Sequence, residues 1–457
     1  MDQIAPNSTA YNDIAYHIHS QTNPLAHEKE GPVIITRGQG AHVFDADGRS
    51  YVDAMAGLWC ASLGFSNRRL IDAAMRQYEK IGFYHTFFHR TSPVAAELAE
   101  KLVQLSGLEH GKAYFATSGS EANETMVKLA WVYHKAAGKP EKRKIIARQK
   151  AFHGSTIGAA SMCGLPFMHR EYGLPIPGFI HTTTPDPYHG PKEGENEAQF
   201  VDSLIADLET MIESEGADTI AGFIAEPIMA GGGIIVPPET YFARVRAVLE
   251  KHDILLLADE IVCGFHRTGN WFGMQTVGMK PDMISMAKGL SSSYFPISAV
   301  VVAGKVYDAL SAVNRKGEMF GHGFTNSGHP VGAAVASEAI KIYEESDMSS
   351  HVREIGAKLR TGLDALAENS PIIGQVRGAG MMIGIEFVAD KATRTPFPEE
   401  MKVGKTFDSI AFRHGLILRC MGDTVALAPP LIIDEAVADE ILEKFETTLH
   451  DLTAEVA

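Results

Sequence analysis

Five short, unbroken apolar runs constrain this chain more than any other feature: Lys144–Arg148 (KIIAR), Ala221–Ala225 (AGFIA), Ile254–Ala258 (ILLLA), Met283–Met286 (MISM) and Ala299–Ala303 (AVVVA). A strand that is apolar at every position is covered on both faces. The intervening segments carry helical patterns, of which Thr240–His252 is one. Alternation of this kind predicts an α/β domain whose mostly parallel central sheet lies between helices. It begins near residue 66 and ends near residue 330. Before it, residues 31–57 alternate apolar and polar positions around an Asp45–Gly48 turn, which predicts a β-hairpin. After Ser327 the pattern runs helix, strands at 374–388, then helices to the end. The expected division is an N-terminal segment (1–65) joining a small α+β domain, a large domain (66–330), and the C-terminal part of the small domain (331–457). Residues 185–197 read as a polar surface loop.

Composition excludes several function classes. The 457 residues carry 41 Lys+Arg against 56 Asp+Glu, a net charge of −15, which disfavours a phosphate backbone as the main partner. Cys60, Cys163, Cys263 and Cys420 are far apart with no C-x-x-C pair, so reduced thiols are expected rather than disulfides or zinc. Residues 1–20 lack an apolar signal core, and no run reaches the ~18 apolar residues of a membrane span. A cytoplasmic protein with no membrane partner is the expectation. His85 and His89 are four apart and would share a helix face, but no third ligand accompanies them, so no metal site is expected. Gly378-Ala379-Gly380 lacks the following helix of a dinucleotide fingerprint, because the strand-like run MMIGIEF comes next.

Three segments carry chemistry. In Thr117-Ser118-Gly119-Ser120-Glu121, Ser118 and Glu121 form a capping-box pattern. Ala122, Met126, Leu129, Ala130 and Tyr133 then fall on one helix face. A helix start preceded by small residues can hold an anion, or can be a plain cap. The run Leu255–Ala258 ends in Asp259 and Glu260, at the sheet edge where open α/β folds bind ligands. An acid there can hold a metal, act as a base, pair with a cationic ring nitrogen, or simply close a turn. Lys288 follows the strand Met283–Met286, 29 residues after Asp259. A lysine so placed loses its proton readily and can attack carbonyl carbon. Pyridoxal phosphate (PLP) chemistry uses these parts together: a lysine for the Schiff base, an acid on the pyridinium nitrogen, and backbone N–H groups on the phosphate.

The run LLLADEIVCGFHRTGNWFG…KPDMISMAKGLSSSYFPISAV resembles the signature of class III aminotransferases, enzymes of PLP fold type I. Further similar stretches are DAMAGLWCASLGF (53–65), FATSGSEANETMVKLA (115–130), FHGSTIGA (152–159), AEPIMAGGGIIVPP (225–238), HGFTNSGHP (322–330), VRGAGMMIGIEF (376–387) and LILRCMGDTVALAPPL (416–431). Together they most resemble the ω-transaminase branch. The resemblance implies that Lys288 is catalytic and carries the Schiff base, and that Asp259 holds the pyridine N–H. It implies that Ser118, Gly119 and Ser120 take the phosphate, that Ile261 and Phe152 cover opposite ring faces, and that His153 and Glu226 support the cofactor. Thr325 would reach the phosphate of a neighbouring subunit, so the partner would be a second copy, in a homodimer or a dimer of dimers with shared active sites. Trp59, Phe88, Phe152 and Arg419 would line the substrate pocket, Arg419 gripping a carboxylate with its two-pronged guanidinium. Against that reading, Trp59 and Phe88 could be core aromatics, and Arg419 a surface arginine. Two positions depart from the family pattern: Phe152, where relatives often carry Tyr, and His266, where they often carry Gly. The implied activity is ping-pong transamination from an ω-amino acid, diamine or primary amine to a keto acid, pyruvate foremost. An aminomutase, a decarboxylase and a non-catalytic PLP-fold binding protein are the alternatives.

Overall fold

The computed structural model describes residues 7–314 and 319–456. Its strands are β1 (Ile35–Gln39), β2 (His42–Asp45), β3 (Ser50–Asp53), β4 (Lys112–Ala116), β5 (Lys144–Arg148), β6 (Phe179–Thr182), β7 (Ile220–Ala225), β8 (Leu255–Asp259), β9 (Met283–Met286), β10 (Ser298–Val302), β11 (Ile373–Ala379), β12 (Met382–Phe387), β13 (Leu416–Ile417), β14 (Arg419–Met421) and β15 (Thr424–Leu427). The central sheet has seven strands in the order β4-β10-β9-β8-β7-β5-β6. Neighbours from β9 through β6 pair in parallel, and β10 runs antiparallel to both β9 and β4. Every residue of β7, β8, β9 and β10 is buried, the pattern that continuous apolar runs require when helices cover both faces.

The helix between β7 and β8 is Tyr241–Lys251, close to the predicted Thr240–His252. On one side of the sheet the helix Gly119–Ala136 buries Ala122, Met126, Leu129 and Ala130 against β-strand residues including Ile145, Leu255 and Val300. Burying a side chain of Leu or Ile size contributes about 1.5–3 kcal/mol, so this seam anchors the start of the helix firmly.

Two smaller sheets join distant parts of the chain. One has the order β1-β2-β3-β13, with β13 parallel to β3, so residues 416–417 extend the N-terminal sheet. The other is antiparallel, β11-β12-β15-β14. Three differences from the sequence reading appear here. The N-terminal hairpin has a third strand, β1. The C-terminal part is not helical throughout after 388, because β13–β15 intervene. β4 and β6 also escaped notice, since neither is a continuous apolar run (KAYFA, FIHT). Gly378-Ala379-Gly380 belongs to a β-hairpin, with Gly380 at φ +56° in the turn between β11 and β12.

Candidate active site

All but one of the seven central strands point their carboxyl ends to the same edge, and the chemistry gathers there. β4 leads into Ser118, β5 into Phe152, β7 into Glu226, β8 ends on Asp259, and β9 leads to Lys288. A cavity of about 1880 Å³ opens at this edge, lined among others by Trp59, Phe152, Glu226, Lys288 and Arg419.

Asp259 is 3% exposed, and its carboxylate is held on three sides. Oδ2 accepts from Asn123 Nδ2 at 2.7 Å and from His153 Nδ1 at 2.8 Å, and Oδ1 accepts from the Ile261 backbone N–H at 3.1 Å. Donors on both oxygens satisfy the buried carboxylate and fix its direction. Its neighbour Glu260 turns the other way, accepting the Gly273 and Met274 backbone N–H groups at 2.8 and 2.6 Å. Burial pushes the Glu260 carboxyl up to about 8, against the pull of those amides. Of the two acids at the strand end, Asp259 therefore serves the site edge and Glu260 serves the loop behind it.

Lys288 lines the cavity and has φ +42°, a left-handed backbone costly for a side-chain-bearing residue. Burial pulls its amine below the ordinary lysine range, while Asp259, Cys60 and Glu226 pull the other way. A neutral amine is the form that attacks a carbonyl.

At the helix start, the Ser118 hydroxyl accepts from the Glu121 N–H at 3.2 Å, and the Glu121 carboxylate returns to the Ser118 and Thr117 N–H groups. The capping box is present, so Ser118 Oγ is committed to the helix. Ser120 Oγ accepts from the backbone N–H of Ser155, which lines the cavity, so the helix start abuts it. Gly119 is the position where a Cβ would stand 2.6 Å from Ile261 Cδ1, which brings Ile261 and the helix start together. Glu226 Oε1 accepts the Phe152 N–H at 3.1 Å and Oε2 the Ala230 N–H at 2.9 Å, fixing the loop that carries Gly231 against the Phe152 ring.

Arg419, on β14, is half-buried in the cavity wall. Burial lowers its pKa, and among the described residues no carboxylate pairs with it. It is a fixed cation with free donors facing the space that Lys288 also faces. Trp59 is 4% exposed, so it is both a packed aromatic and a wall residue.

Residues 25–449 match the sequence profile of the family described as aminotransferase class III. The chain belongs to the class III aminotransferases. It is 45% identical to gamma aminobutyrate transaminase 3 of Solanum lycopersicum, over 92% of this chain and 81% of that protein. It is likewise 45% identical to vanillin aminotransferase of Capsicum frutescens, over 92% of both. The ω-transaminase of Pseudomonas jessenii in complex with PMP superposes with a TM-score of 0.97 at 44% identity, over 98% of this chain and 99% of that one. The PMP-bound aminotransferase of Vibrio fluvialis gives 0.96 at 42%, over 99% and 100%. The fold is therefore that of the fold type I PLP enzymes, and the family's cofactor is PLP. The residues fit that cofactor. Lys288 lines the cavity, and among the described residues no hydrogen bond commits its amine; Asp259 ends the strand beside the one that leads to Lys288, and the capped helix start abuts Ser155, another lining residue.

Not every residue named for a class III site sits in this cavity. His153 is fully buried behind Asp259, so it orients that carboxylate rather than lining the space. Phe88 is 64% exposed at φ +53°, and Thr325 is exposed too. They belong to two segments packed on each other: Thr86 Oγ1 donates to the Ser327 carbonyl at 3.2 Å, and Gly323 abuts the Phe87 ring. Phe88 is thus not a wall of this chain's own cavity. The helix expected to align His85 with His89 is absent; residues 83–92 are irregular, so the two imidazoles have no common face. The loop 185–197 is less superficial than its composition predicts. Asp186 is 4% exposed, and His189 bonds to Glu386, which also pairs with Arg377 at the cavity mouth.

His266 has φ +69°, a left-handed backbone that glycine adopts more readily than a residue with a side chain. Here the imidazole is buried over Trp271, 4.1 Å between centroids, and bonded to Ser349 Oγ at 2.8 Å; burial lowers it to about 4, so it stays neutral. It packs the core and takes no part in the site.

Asn123 is the residue the sequence reading passed over. It is fully buried, donates to both Asp259 and the His153 carbonyl at 2.7 Å, and accepts from Ser285 Oγ at 2.7 Å. The available signal was an amide directly beside Ala122 on the helix's apolar face, where a polar side chain needs a partner.

Proposed function

We propose that this class III aminotransferase runs a ping-pong transamination from an ω-amino acid, diamine or primary amine to a keto acid, with pyruvate as the acceptor. The observation that carries the reading is the pairing of Lys288 with an unneutralised Arg419 across one large cavity. A keto acid has one reacting carbon and one carboxylate, which those two groups match. The remaining wall, with Trp59, Phe152, Leu165, Phe167 and Met168, is apolar enough for an amine donor's carbon chain.

When bound, PLP supplies an electron sink that acidifies the carbon bearing the amino group. Asp259, braced by Asn123, His153 and the Ile261 N–H, keeps the ring nitrogen protonated. Gly119 and Ser120 would direct their helix-start N–H groups and the Ser120 hydroxyl at the phosphate, with Ser118 capping the helix that presents them. Phe152 and Ile261 confine the ring from opposite faces. Phe152 stacks without offering a hydroxyl, so this role requires only its ring. Glu226 holds the Phe152 backbone in place. Lys288 Nζ, as general base and acid, would take up and return the proton of the substrate's amino-bearing carbon, in opposite senses for donor and acceptor.

The site is proposed to be shared in a homodimer. Phe88 and Thr325 lie on two segments packed on each other, and the first of these also exposes Phe83 and Tyr84. An exposed apolar patch of this kind marks an interface. From there Thr325 serves a neighbour's phosphate and Phe88 a neighbour's pocket. The division into a large domain (66–330) and a small one built from 1–65 and 331–457 is part of the same proposal, with the cavity between them.

The test is visible absorption of the holoenzyme during addition of 4-aminobutyrate, a diamine and an arylalkyl amine, followed by pyruvate. Bleaching by a donor and return with pyruvate is expected. In Arg419→Leu, the return with pyruvate should slow about 100-fold, since a charged two-pronged hydrogen bond contributes about 2–3 kcal/mol. Bleaching by an arylalkyl amine should change less than about threefold by the same scale. A variant that recovers with pyruvate as fast as the wild type would overturn the Arg419 assignment. Product without consumption of acceptor would favour an aminomutase or decarboxylase.

A further inference from the structure

Outside the active site, one carboxylate gathers three imidazoles. Asp13 and His17 are four apart on the helix Thr9–Tyr16 and its C-terminal cap, and so share a face. His17 Nδ1 lies 3.0 Å from Asp13 Oδ1. His19 Nε2 lies 3.0 Å from Oδ1 and 2.9 Å from Oδ2. His27, on the helix Pro24–Glu30, brings Nε2 to 2.9 Å from Oδ2. The donor atoms of Asp13, His17 and His19 all fall within 4.8 Å of one another, the only such trio among the described residues. The side chains of Asp13 and His27 are 19% and 10% exposed, while that of His17 is 66% exposed, so the group is anchored inside and open to solvent on one side.

We infer that Asp13, His17 and His19 form a binding site for a divalent transition metal. Two ligands about 2.0–2.1 Å from a tetrahedral zinc ion stand about 3.3 Å apart. The observed nitrogen–oxygen separations of 3.0 Å need only a few tenths of an ångström to reach that. Two imidazoles and one carboxylate are a borderline donor set that suits zinc, cobalt, nickel or copper and not calcium or magnesium. Three protein ligands leave a fourth position for water, on the side where His17 is exposed. His27 then stays on the remaining carboxylate oxygen and orients it, as outer hydrogen bonds do at metal sites. Without a metal, all three nitrogens must carry protons, because an ionised carboxylate only accepts. Metal uptake therefore switches His17 and His19 to the other tautomer, the ring proton passing through solvent to His17 Nε2 and His19 Nδ1 as the metal takes the nitrogens now on Asp13. Ser20 and Gln21, directly after His19, line the mouth of the active-site cavity, so a metal would clip the chain there.

The test uses chelator-treated, desalted holoenzyme titrated with cobalt(II) and read by visible absorption. The expected result is one equivalent bound per chain, with the intense bands of a low-coordinate ion and displacement by zinc. His19→Gln should weaken binding at least about 100-fold and His27→Gln about 10-fold, in keeping with lost direct and outer ligands. Both variants should retain the PLP absorption band, which shows that they are folded. Cobalt that keeps its hexaaqua spectrum, or that binds His19→Gln as tightly as wild type, would overturn the site.

Discussion

Replacing Asn123 with alanine tests how the site is held together. The side chain makes three hydrogen bonds at 2.7 Å, all in fully buried surroundings: to Asp259 Oδ2, to the His153 carbonyl, and from Ser285 Oγ. Loss of a donor to a charged acceptor costs about 1.5–3 kcal/mol, and each neutral bond about 1 kcal/mol. The expected loss is therefore about 3–5 kcal/mol, a large part of the 5–15 kcal/mol that keeps a typical protein folded. Urea unfolding followed by tryptophan fluorescence would measure it. Cofactor affinity should fall in parallel, because Asp259 then depends on His153 and the Ile261 N–H alone. Asn123→Asp sharpens the test. It keeps the shape but sets a second carboxylate against Asp259, and two such groups cannot both ionise in a dry site. Its defect should grow from pH 6 to pH 8. A stability loss below about 1 kcal/mol in Asn123→Ala, with unchanged cofactor affinity, would refute the reasoning, since only an unburied or water-replaced amide would behave so.

Two further predictions concern buried charge. Burial holds the Lys288 amine below the lysine value of 10.5, so the native apoenzyme binds fewer protons than the unfolded chain between the two values. Its stability should rise with pH in that window, and Lys288→Met should lack this rise, be more stable at neutral pH and lose transamination; equal pH slopes in urea unfolding would contradict it. Glu260 behaves oppositely: its carboxyl is raised from 4.5 to about 8, so its contribution is fully present below pH 4.5 and is lost as pH rises through 8. That rise is worth at most about 5 kcal/mol. Subtracting the Glu260→Gln unfolding curve from the wild type should expose the fall, and a flat difference would mean that the Gly273 and Met274 amides keep Glu260 ionised throughout.

Much of the central sheet was legible in the chain because covered strands must be apolar throughout. Three of the five predicted runs begin and end within one residue of an observed strand, and the other two, β5 and β9, match at both ends. The capping box at Ser118 and Glu121 was legible for a local reason: cap and partner are three residues apart, and no distant contact is needed to form it. Lys288 and Asp259 stood out because each follows an apolar strand, where a charge needs a purpose.

What the chain could not disclose depends on distant pairing. β13 and β14 are two and three residues long, and they exist only because β3 and β15 supply partners. Asp259 and Glu260 are adjacent acids, and only their distant partners assign one to Asn123 and His153 and the other to the Gly273 and Met274 amides. Asn123 and His153 became the supports of Asp259 only when residues 136 and 106 positions apart were folded together. Phe88 is apolar in sequence and would be expected inside, but it stands on the surface, since the turn that carries it faces away from its own cavity. His17, His19 and His27 likewise look unremarkable in the chain. Local periodicity determines which segments become covered strands and helices. Which side chains meet a given carboxylate is decided by the packing of whole elements, because a hydrogen bond has a direction and a reach of about 3 Å that no local pattern encodes.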